Sequence, residues 1–412
     1  MEINFNELLV GMVLEEPLYR NDNTLILQKG TILTERMIHH LKNLKNSGFF
    51  DGVIEVNAEQ AQKLLYDRKE TPETVSLELR NNTATALEEF FKNPDSSNIQ
   101  DLKKRSSEIA SVVESCDSFK YDLEAYQNNT ELYAHSVRVA CFSAILAKAY
   151  NTRIKSLFPS TYSDNIINLQ DITTAALLQD LGKTCKNSKT FDTITRIPGI
   201  VSLQTSFPGI LDTPLDKYDE KYFSVYSYCM VASMNQLNTI SKFMILLSNE
   251  PDSENGCLKV PFKLSKSRSP SMYGAKIIHL CDIYDNAMQN AIAKNSSLEE
   301  VVSELEFDAQ NSIVNSVVEQ LFINTIPIYP VDTRVKLSTG EYAIVKENFK
   351  NRYDSYKPVV RTVPFPGRII DLRNKKTTTI TIDSVVSKDL IKKQIDTIKF
   401  NVGKKPSTDF DR

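Results

Sequence analysis

The side chains best suited to metal or proton chemistry are scarce in this 412-residue chain. There are four histidines, His39, His40, His135 and His279, and imidazole is the commonest nitrogen ligand of catalytic transition metals. A site with several histidine ligands would therefore need residues far apart in sequence to converge. His39 and His40 are adjacent, so on a helix they point about 100° apart and cannot face one ion together. We interpret this pair as solvated surface.

Other catalytic patterns are absent from the sequence. The six cysteines are widely spread and form no C-x-x-C pair, which indicates neither a disulfide framework nor a zinc knuckle. No G-x-S-x-G elbow, Walker-type P-loop or H-E-x-x-H helix occurs. The basic segment 265–270 could steer an anionic nucleotide, but we interpret it as a solvated loop.

The composition is typical of a globular protein with a large core. Hydrophobic residues make up 41% of the chain and charged residues 25%. The formal net charge of −3 argues against a broad surface for nucleic acid, so we expect neither DNA nor RNA as a partner. The chain begins without the basic region of a signal peptide, and no apolar run approaches the roughly 18 residues that span a bilayer. We therefore expect no membrane insertion and a cytoplasmic location.

The first part of the chain predicts a small β-rich module followed by helical connectors. Between residues 8 and 56, short apolar stretches alternate with turn signals, and the polar residues 21–23 are placed to close a hairpin. Thr34 is placed to cap a helix. Residues 58–128 are charged and helix-prone.

The middle of the chain predicts a series of amphipathic helices. Between residues 129 and 325, apolar residues recur at helical spacing behind polar capping residues. Gly182 is placed to stop the second of these helices. The predicted helices cover residues 132–149, 172–180, 219–247, 271–293 and 297–322.

The last part returns to short β-like runs joined by turns. One of these turns holds Gly340, at a position where a positive φ is typical of a hairpin. The predicted divisions are a small β-rich N-terminal module (1–57), a helical connector (58–128), a helical domain (129–325), a small β-module (326–380) and a C-terminal extension (381–412).

Three segments of the helical domain carry a recognisable pattern: YAHSVRVA at 133–140, AALLQDLGK at 175–183 and KIIHLCDIYDNA at 276–287. Together they resemble the HD-GYP family, the helical metal phosphohydrolases that cleave cyclic di-GMP. In YAHSVRVA at 133–140, His135 matches the first metal-binding histidine of that family. AALLQDLGK at 175–183 is similar to its A-A-L-L-H-D-I-G-K signature. KIIHLCDIYDNA at 276–287 looks like its R-I-L-x-I-A-D-x-F-D-A helix, in which Asp282 matches the final ligand aspartate.

The flanking modules are similar to segments that often accompany such domains. Residues 11–14 and 27–34 look like the segment commonly found before the domain, and residues 329–330 and 335–341 look like the one that follows it. The resemblance thus touches most of the chain. It implies a mainly α fold, with a helical HD-type domain between small β-rich modules.

The departures from the family pattern concern its histidines. Gln179 stands where the A-A-L-L-H-D-I-G-K signature has histidine. The histidine of the H-P-x-x-G segment falls near residues 226–227, and the paired histidines fall near residues 248–250, with no histidine at either place. The G-Y-P loop aligns with residues 256–258, which read Gly-Cys-Leu.

The resemblance implies a remnant metal site. Family members hold two or three iron or manganese ions, whereas His135, Asp180 and Asp282 are the ligands that this chain retains. Gln179 replaces a family ligand and offers only a weaker amide oxygen. We interpret the retained trio as a buried hydrogen-bonded group without a resident cofactor; the alternative is one weakly bound iron or manganese ion. His279, three residues before Asp282, is a candidate substitute ligand.

Lys183 has two interpretations. It matches the signature lysine and could contact a phosphate as the retained catalytic residue, or it could be an ordinary cation near a helix C-terminus, where the helix dipole favours it.

The resulting hypothesis is a bacterial, catalytically degenerate HD-GYP-like protein of cyclic-dinucleotide signalling. It would regulate by binding cyclic di-GMP or another nucleotide, or by contacting a protein partner or a second copy of itself. Two alternatives stay open: a residual metal-dependent cyclic di-GMP phosphodiesterase, and a structural scaffold with no nucleotide ligand.

Overall fold

A computed structural model gives the architecture of most of the chain. It describes residues 2–3, 8–50, 54–58, 60–61, 64, 73–116, 119–126, 132–160, 162–186, 218–253, 256–258, 269–351, 353–363, 367–374, 379–387 and 389–391. The described chain is mainly helical, and a helical domain is flanked by β-rich modules at both ends. This confirms the predicted fold class. Within these ranges, no helix combines the length and apolar character needed to cross a membrane.

The N-terminal module consists of two small antiparallel sheets and one helix. Strands β1 (Glu2–Ile3) and β4 (Ile54–Glu55) form one sheet, and β2 (Leu18–Tyr19) and β3 (Leu25–Leu27) form the other. Helix α1 covers Glu35–Asn46. The predicted hairpin joins β2 to β3, with Asn23 at φ +65°. The predicted Thr34 cap is also confirmed, since its hydroxyl accepts a hydrogen bond from the backbone N–H of Met37.

The helical domain shares one hydrophobic core, which also includes the helices between residues 77 and 115. Its two longest central helices, Leu132–Leu157 and Pro270–Ala293, are buried along most of their length. The helices are α2 (Leu77–Lys92), α3 (Ser96–Ser115), α4 (Leu132–Leu157), α5 (Leu169–Leu178), α6 (Phe223–Val231), α7 (Thr239–Leu247), α8 (Pro270–Ala293), α9 (Glu299–Gln310) and α10 (Ser316–Ile323). Short 3₁₀ turns cover Leu123–Tyr126, Tyr162–Asp164, Leu181–Lys186 and Glu220–Tyr222.

Two of the predicted helices are each split in two, so their predicted extents were wrong. The segment 219–247 breaks before Asn238, whose side chain accepts a hydrogen bond from the Ser241 N–H and starts α7. The segment 297–322 breaks where Ser312 adopts φ +56° and Asn315 caps α10. Short polar side chains that bond to nearby backbone N–H groups compete with helix continuation, and apolar periodicity alone does not reveal such breaks.

The C-terminal module is a five-stranded antiparallel sheet in the order β8-β7-β6-β5-β9. Gly340 lies in the β5–β6 turn with φ +82°, as the sequence predicted. Inward-facing side chains such as Val335 and Val345 belong to the same core as the helices. The strands are β5 (Arg334–Leu337), β6 (Tyr342–Glu347), β7 (Val359–Val363), β8 (Ile369–Asp371) and β9 (Ile382–Val385).

Candidate functional site

Three elements of the helical domain bring the retained ligand-type residues together. His135 lies in the first turn of α4, Asp180 follows the end of α5, and Asp282 lies in the middle of α8. One ligand atom from each lies within 4.8 Å of the others. The convergence of these residues, which are separated by up to 147 positions, is therefore present in the folded chain.

The imidazole of His135 is at the centre of this group. Its Nε2 atom lies 2.8 Å from Asp282 Oδ1 and 3.4 Å from Asp180 Oδ2. The other Asp180 oxygen, Oδ1, lies 2.8 Å from Lys183 Nζ. Asp180 is fully buried and His135 is 5% exposed, so these charges interact in a medium that screens them weakly.

Gln179 joins the group as a hydrogen-bond donor. Its side chain is buried, and its Nε2 donates to Asp282 Oδ1 over 3.2 Å. Gln179 thus presents an N–H group to the carboxylate, where a metal ligand would present a lone pair.

A second layer around His135 was missed by the sequence analysis. Asp285 is fully buried, and its Oδ2 lies 2.7 Å from His135 Nδ1. Arg138 donates to both oxygens of Asp285, from Nε over 2.8 Å and from a terminal nitrogen over 3.0 Å. Tyr126 donates its hydroxyl proton to Oδ1, and Gln289 donates to Oδ2, each over 2.7 Å.

The signal for this second layer is present in the sequence as helix spacing. Arg138 follows His135 by three residues, and Asp285 follows Asp282 by three residues. Residues three apart share a helix face, so each pair presents two polar side chains to the same neighbour. Only the packing of α4 against α8 shows that the two pairs face each other.

The charges of the described cluster leave one negative charge to be balanced. Three carboxylates, from Asp180, Asp282 and Asp285, face the two side-chain cations of Arg138 and Lys183. Among the described residues, the remaining positive charge can come from a proton on His135 or from a bound cation.

The pKa values of the cluster follow from this balance. Burial lowers the pKa of His135, but hydrogen bonds to Asp180, Asp282 and Asp285 outweigh burial and raise it to about 11. Burial raises the pKa of Asp285, but His135 and Arg138 outweigh burial and hold it at about 2. The pKa of Asp180 is lowered for the same reason, with His135 and Lys183 opposing burial. His135, Asp180 and Asp285 are thus ionised at neutral pH.

The donor set fits one divalent ion. His135, Asp180 and Asp282 could hold it through one nitrogen and two carboxylates, a mixture that suits manganese, iron or zinc. Asp285 is not a further ligand, because its two oxygens already accept hydrogen bonds from Arg138 and other donors. When bound, such an ion would neutralise negative charge on a phosphate ligand.

The hydroxyls of residues 226–227 have structural roles. The Ser227 hydroxyl donates to the Gln179 carbonyl oxygen over 2.6 Å and accepts from the Gly182 N–H over 2.7 Å. The Tyr226 hydroxyl accepts from the Asp219 N–H over 3.1 Å. The Ser227 hydroxyl thus ties the turn after α5 to α6, and the Tyr226 hydroxyl ties α6 to the start of the Glu220–Tyr222 turn.

The remaining histidines lie outside the group formed by the described ligand atoms. His279 is buried on α8, but the group contains His135, Asp180 and Asp282 without it. Burial lowers the pKa of His279, opposed by the charge of Asp282. His39 and His40 lie on the exposed side of α1, as predicted. Residues 265–268 of the basic segment lie outside the described residues.

Glu250 fastens a loop. Its Oε2 accepts a hydrogen bond from the Leu258 N–H over 3.1 Å, which joins residue 250 to the segment 256–258. Burial raises the pKa of Glu250 from 4.5 to about 7, although hydrogen bonds from Leu258 and Cys257 oppose the shift.

We expect Glu250→Gln to stabilise the protein at pH 8 by about 1–2 kcal/mol, and to have little such effect near pH 4.5. Because the folded-state pKa is raised, the stability associated with the protonated carboxyl is fully present below about pH 4.5 and is lost as the pH rises through about 7. Urea unfolding of both proteins at pH 5 and pH 8 measures the difference. Exposed Glu220→Gln is the control, and a gain for Glu250→Gln that does not vary with pH would contradict the prediction.

Comparison with known proteins adds one structural likeness. No protein-family model matches the chain, and no curated protein matches its sequence. Among solved structures, a HDG"Y"P protein from Bdellovibrio bacteriovorus is similar over 78% of this chain and 97% of its own, with 16% identity and a TM-score of 0.39.

Proposed function

We propose that the chain is a catalytically degenerate HD-GYP-like protein that acts by binding a ligand. The observation that carries this proposal is that the side chains of the remnant site are already hydrogen-bonded to one another. Within the described residues, three ligand-type side chains converge, and Gln179 donates an N–H group to one of them, Asp282. Hydrolysis with two metals requires ions about 3.5–4 Å apart, each with its own ligands, that stabilise the attacking and leaving oxygens. One imidazole and two carboxylates do not supply that number.

The ligand that we propose is cyclic di-GMP or another nucleotide with phosphate groups. Lys183 supports a phosphate contact, because its side chain is 27% exposed at the edge of the buried group. Its Nζ lies over the ring of Phe223 at 4.6 Å from the centroid and beside Asp180. A lysine held in this way is oriented before a ligand arrives. The regulatory role in bacterial cyclic-dinucleotide signalling, and a protein partner or homo-oligomer as its output, are parts of the same proposal.

The residual phosphodiesterase is the second candidate, and the convergence of His135, Asp180 and Asp282 supports it. It requires one tightly held ion and turnover of cyclic di-GMP. Its hydrolysis would be abolished by Asp180→Asn, since this carboxylate belongs to the proposed ligand set. The scaffold alternative instead requires a stable oligomer that gives no calorimetric signal with the nucleotide.

We expect Gln179→His to raise the affinity for Mn²⁺ by about tenfold or more, because imidazole is a stronger ligand than an amide oxygen. Calorimetric titration with Mn²⁺ measures the affinity, and mass spectrometry of the purified protein measures the metal content. Gln170→His, in the first turn of α5, is a matched control, since the Gln170 side chain donates to the Lys103 carbonyl away from the site. It should leave the affinity unchanged.

The same samples test the proposed function. We expect the wild-type protein to bind cyclic di-GMP in calorimetry without hydrolysing it, and with less than one tightly bound metal ion per chain. One or more tightly bound equivalents of iron or manganese per chain, together with turnover that Asp180→Asn removes, would overturn the proposal in favour of the phosphodiesterase.

A further inference from the structure

We propose that Asp285, held by Arg138, is the positioning residue of His135: it keeps a proton on Nδ1 and directs Nε2 toward Asp180 and Asp282. The inference rests on the proposed function in one respect, namely that the trio is a remnant metal site. It assigns roles to two residues outside that trio. Neither Asp285 nor Arg138 could itself bind the ion, since each is occupied by the other.

The hydrogen bond between His135 and Asp285 runs from the imidazole to the carboxylate. Arg138 donates to Asp285 Oδ1 from Nε and to Oδ2 from a terminal nitrogen, and Tyr126 donates to Oδ1. A carboxylate surrounded by donors can act only as an acceptor. The proton of the 2.7 Å contact between His135 and Asp285 therefore belongs to Nδ1.

The proton on Nδ1 determines what the other ring nitrogen of His135 can do. With Nδ1 protonated, Nε2 is the atom that can ligate a cation, and it is the atom that lies 2.8 Å from Asp282 and 3.4 Å from Asp180. A carboxylate behind a histidine fixes the tautomer and the ring orientation of a metal ligand, and makes the imidazole a better donor. The geometry of the chain has this arrangement without any ion.

Neighbouring side chains hold the Asp285 carboxylate rigidly. Arg138 and His135 both project from α4, whereas Asp285 projects from α8. The hydrogen bonds among these three side chains therefore join two buried helices. The guanidinium of Arg138 lies over the ring of Tyr126 at 4.6 Å from the centroid, and this contact restrains the orientation of the guanidinium. Gln289, one turn beyond Asp285 on α8, donates to Oδ2 over 2.7 Å. Each oxygen of the Asp285 carboxylate thus accepts hydrogen bonds from at least two donors.

The test begins with the ring protons of the wild-type protein, labelled with ¹⁵N at histidine. Four histidines give few signals, and His39 and His40 are exposed. We expect one low-field, slowly exchanging proton attached to Nδ1 of His135, which persists when Zn²⁺ is added as a diamagnetic probe. The signal is assigned by its loss in His135→Asn and its retention in His279→Asn. A proton missing from Nδ1 would overturn the positioning role, whether or not the protein binds metal.

Variants supply the second readout. Asp285→Asn keeps the side-chain shape but turns an N–H group toward its donors, so we expect the Nδ1 signal to be lost and the Zn²⁺ affinity to fall by about ten- to a hundredfold. Tyr126→Phe is the matched control: it removes one donor to Asp285 and leaves the acceptor of the Nδ1 proton in place. We expect its Zn²⁺ affinity to stay within about threefold of the wild type.

The outcomes separate this inference from the proposed function. Equal Zn²⁺ affinities of wild type and Asp285→Asn, with both folded, would overturn the positioning role while leaving the single-ion site intact. A wild type that binds no Zn²⁺ would overturn the remnant metal site, and the Nδ1 proton would then decide the positioning role alone. That wild-type signal also decides the question if Asp285→Asn does not fold.

Discussion

Replacing Arg138 with methionine should lower the free energy of unfolding by about 3–5 kcal/mol, because it removes the bidentate cation of a fully buried carboxylate and leaves only His135 to balance its charge. Arg138 is 5% exposed and forms two hydrogen bonds to Asp285, which is completely buried. Methionine retains most of the apolar stem, so the loss reports chiefly on the charge and the hydrogen bonds. Urea unfolding at pH 7, followed by circular dichroism, measures the change.

The pH dependence of this deficit has a defined sign. The folded-state pKa of Asp285 is lowered from 3.8 to about 2, so the stability contributed by its ionised form is present above about pH 3.8 and is lost as the pH falls through 2. The deficit of Arg138→Met should therefore be full at pH 7 and shrink as the pH approaches 3.

Lys186→Met is the control for this experiment. Lys186 is 3.0 Å from Glu220, but both side chains are more than half exposed, and exposed ion pairs contribute little to stability. We expect a change of less than about 0.5 kcal/mol. If Arg138→Met were no more harmful than Lys186→Met at pH 7, the buried network would not be the stabilising feature described here.

We expect Gly182→Ala to be the second most damaging substitution, with a loss of about 2–4 kcal/mol. A Cβ atom at residue 182 would collide with the main-chain carbonyl of Phe223 and would lie 2.8 Å from the Ser227 nitrogen. Both of these backbone atoms belong to α6 and cannot move without shifting that helix. The same shift would displace the Ser227 hydroxyl, which bonds to the Gly182 N–H and the Gln179 carbonyl.

Gly274→Ala is the matched control, because it is also a buried helix-domain glycine. A Cβ atom there would meet only the flexible end of the Met244 side chain. Methionine adapts its rotamer at little cost, so we expect a change of less than about 1 kcal/mol. Thermal unfolding of both variants distinguishes the two sites, and equal losses would show that a backbone collision at residue 182 is not the cause.

The sequence alone determined the fold class and several local features. Apolar spacing gave the helical domain and the β-like runs around it, because side-chain periodicity depends on the local backbone conformation. The Thr34 cap and the turn at Gly340 were likewise predicted from neighbouring residues, since their hydrogen bonds and φ angles are local. The resemblance also selected His135, Asp180 and Asp282, which the folded chain brings together.

The tertiary structure decided what surrounds those three residues. Asp285 and Arg138 are 147 positions apart, and nothing local in either segment specifies that they form a bidentate pair. The role of Ser227 likewise depends on the close approach of α6 to Gly182. Long-range polar contacts depend on how whole helices pack, whereas sequence periodicity reports only which face of each helix is buried. For this reason the sequence identified candidate ligands, and only the packing of α4 against α8 identified the residues that orient them.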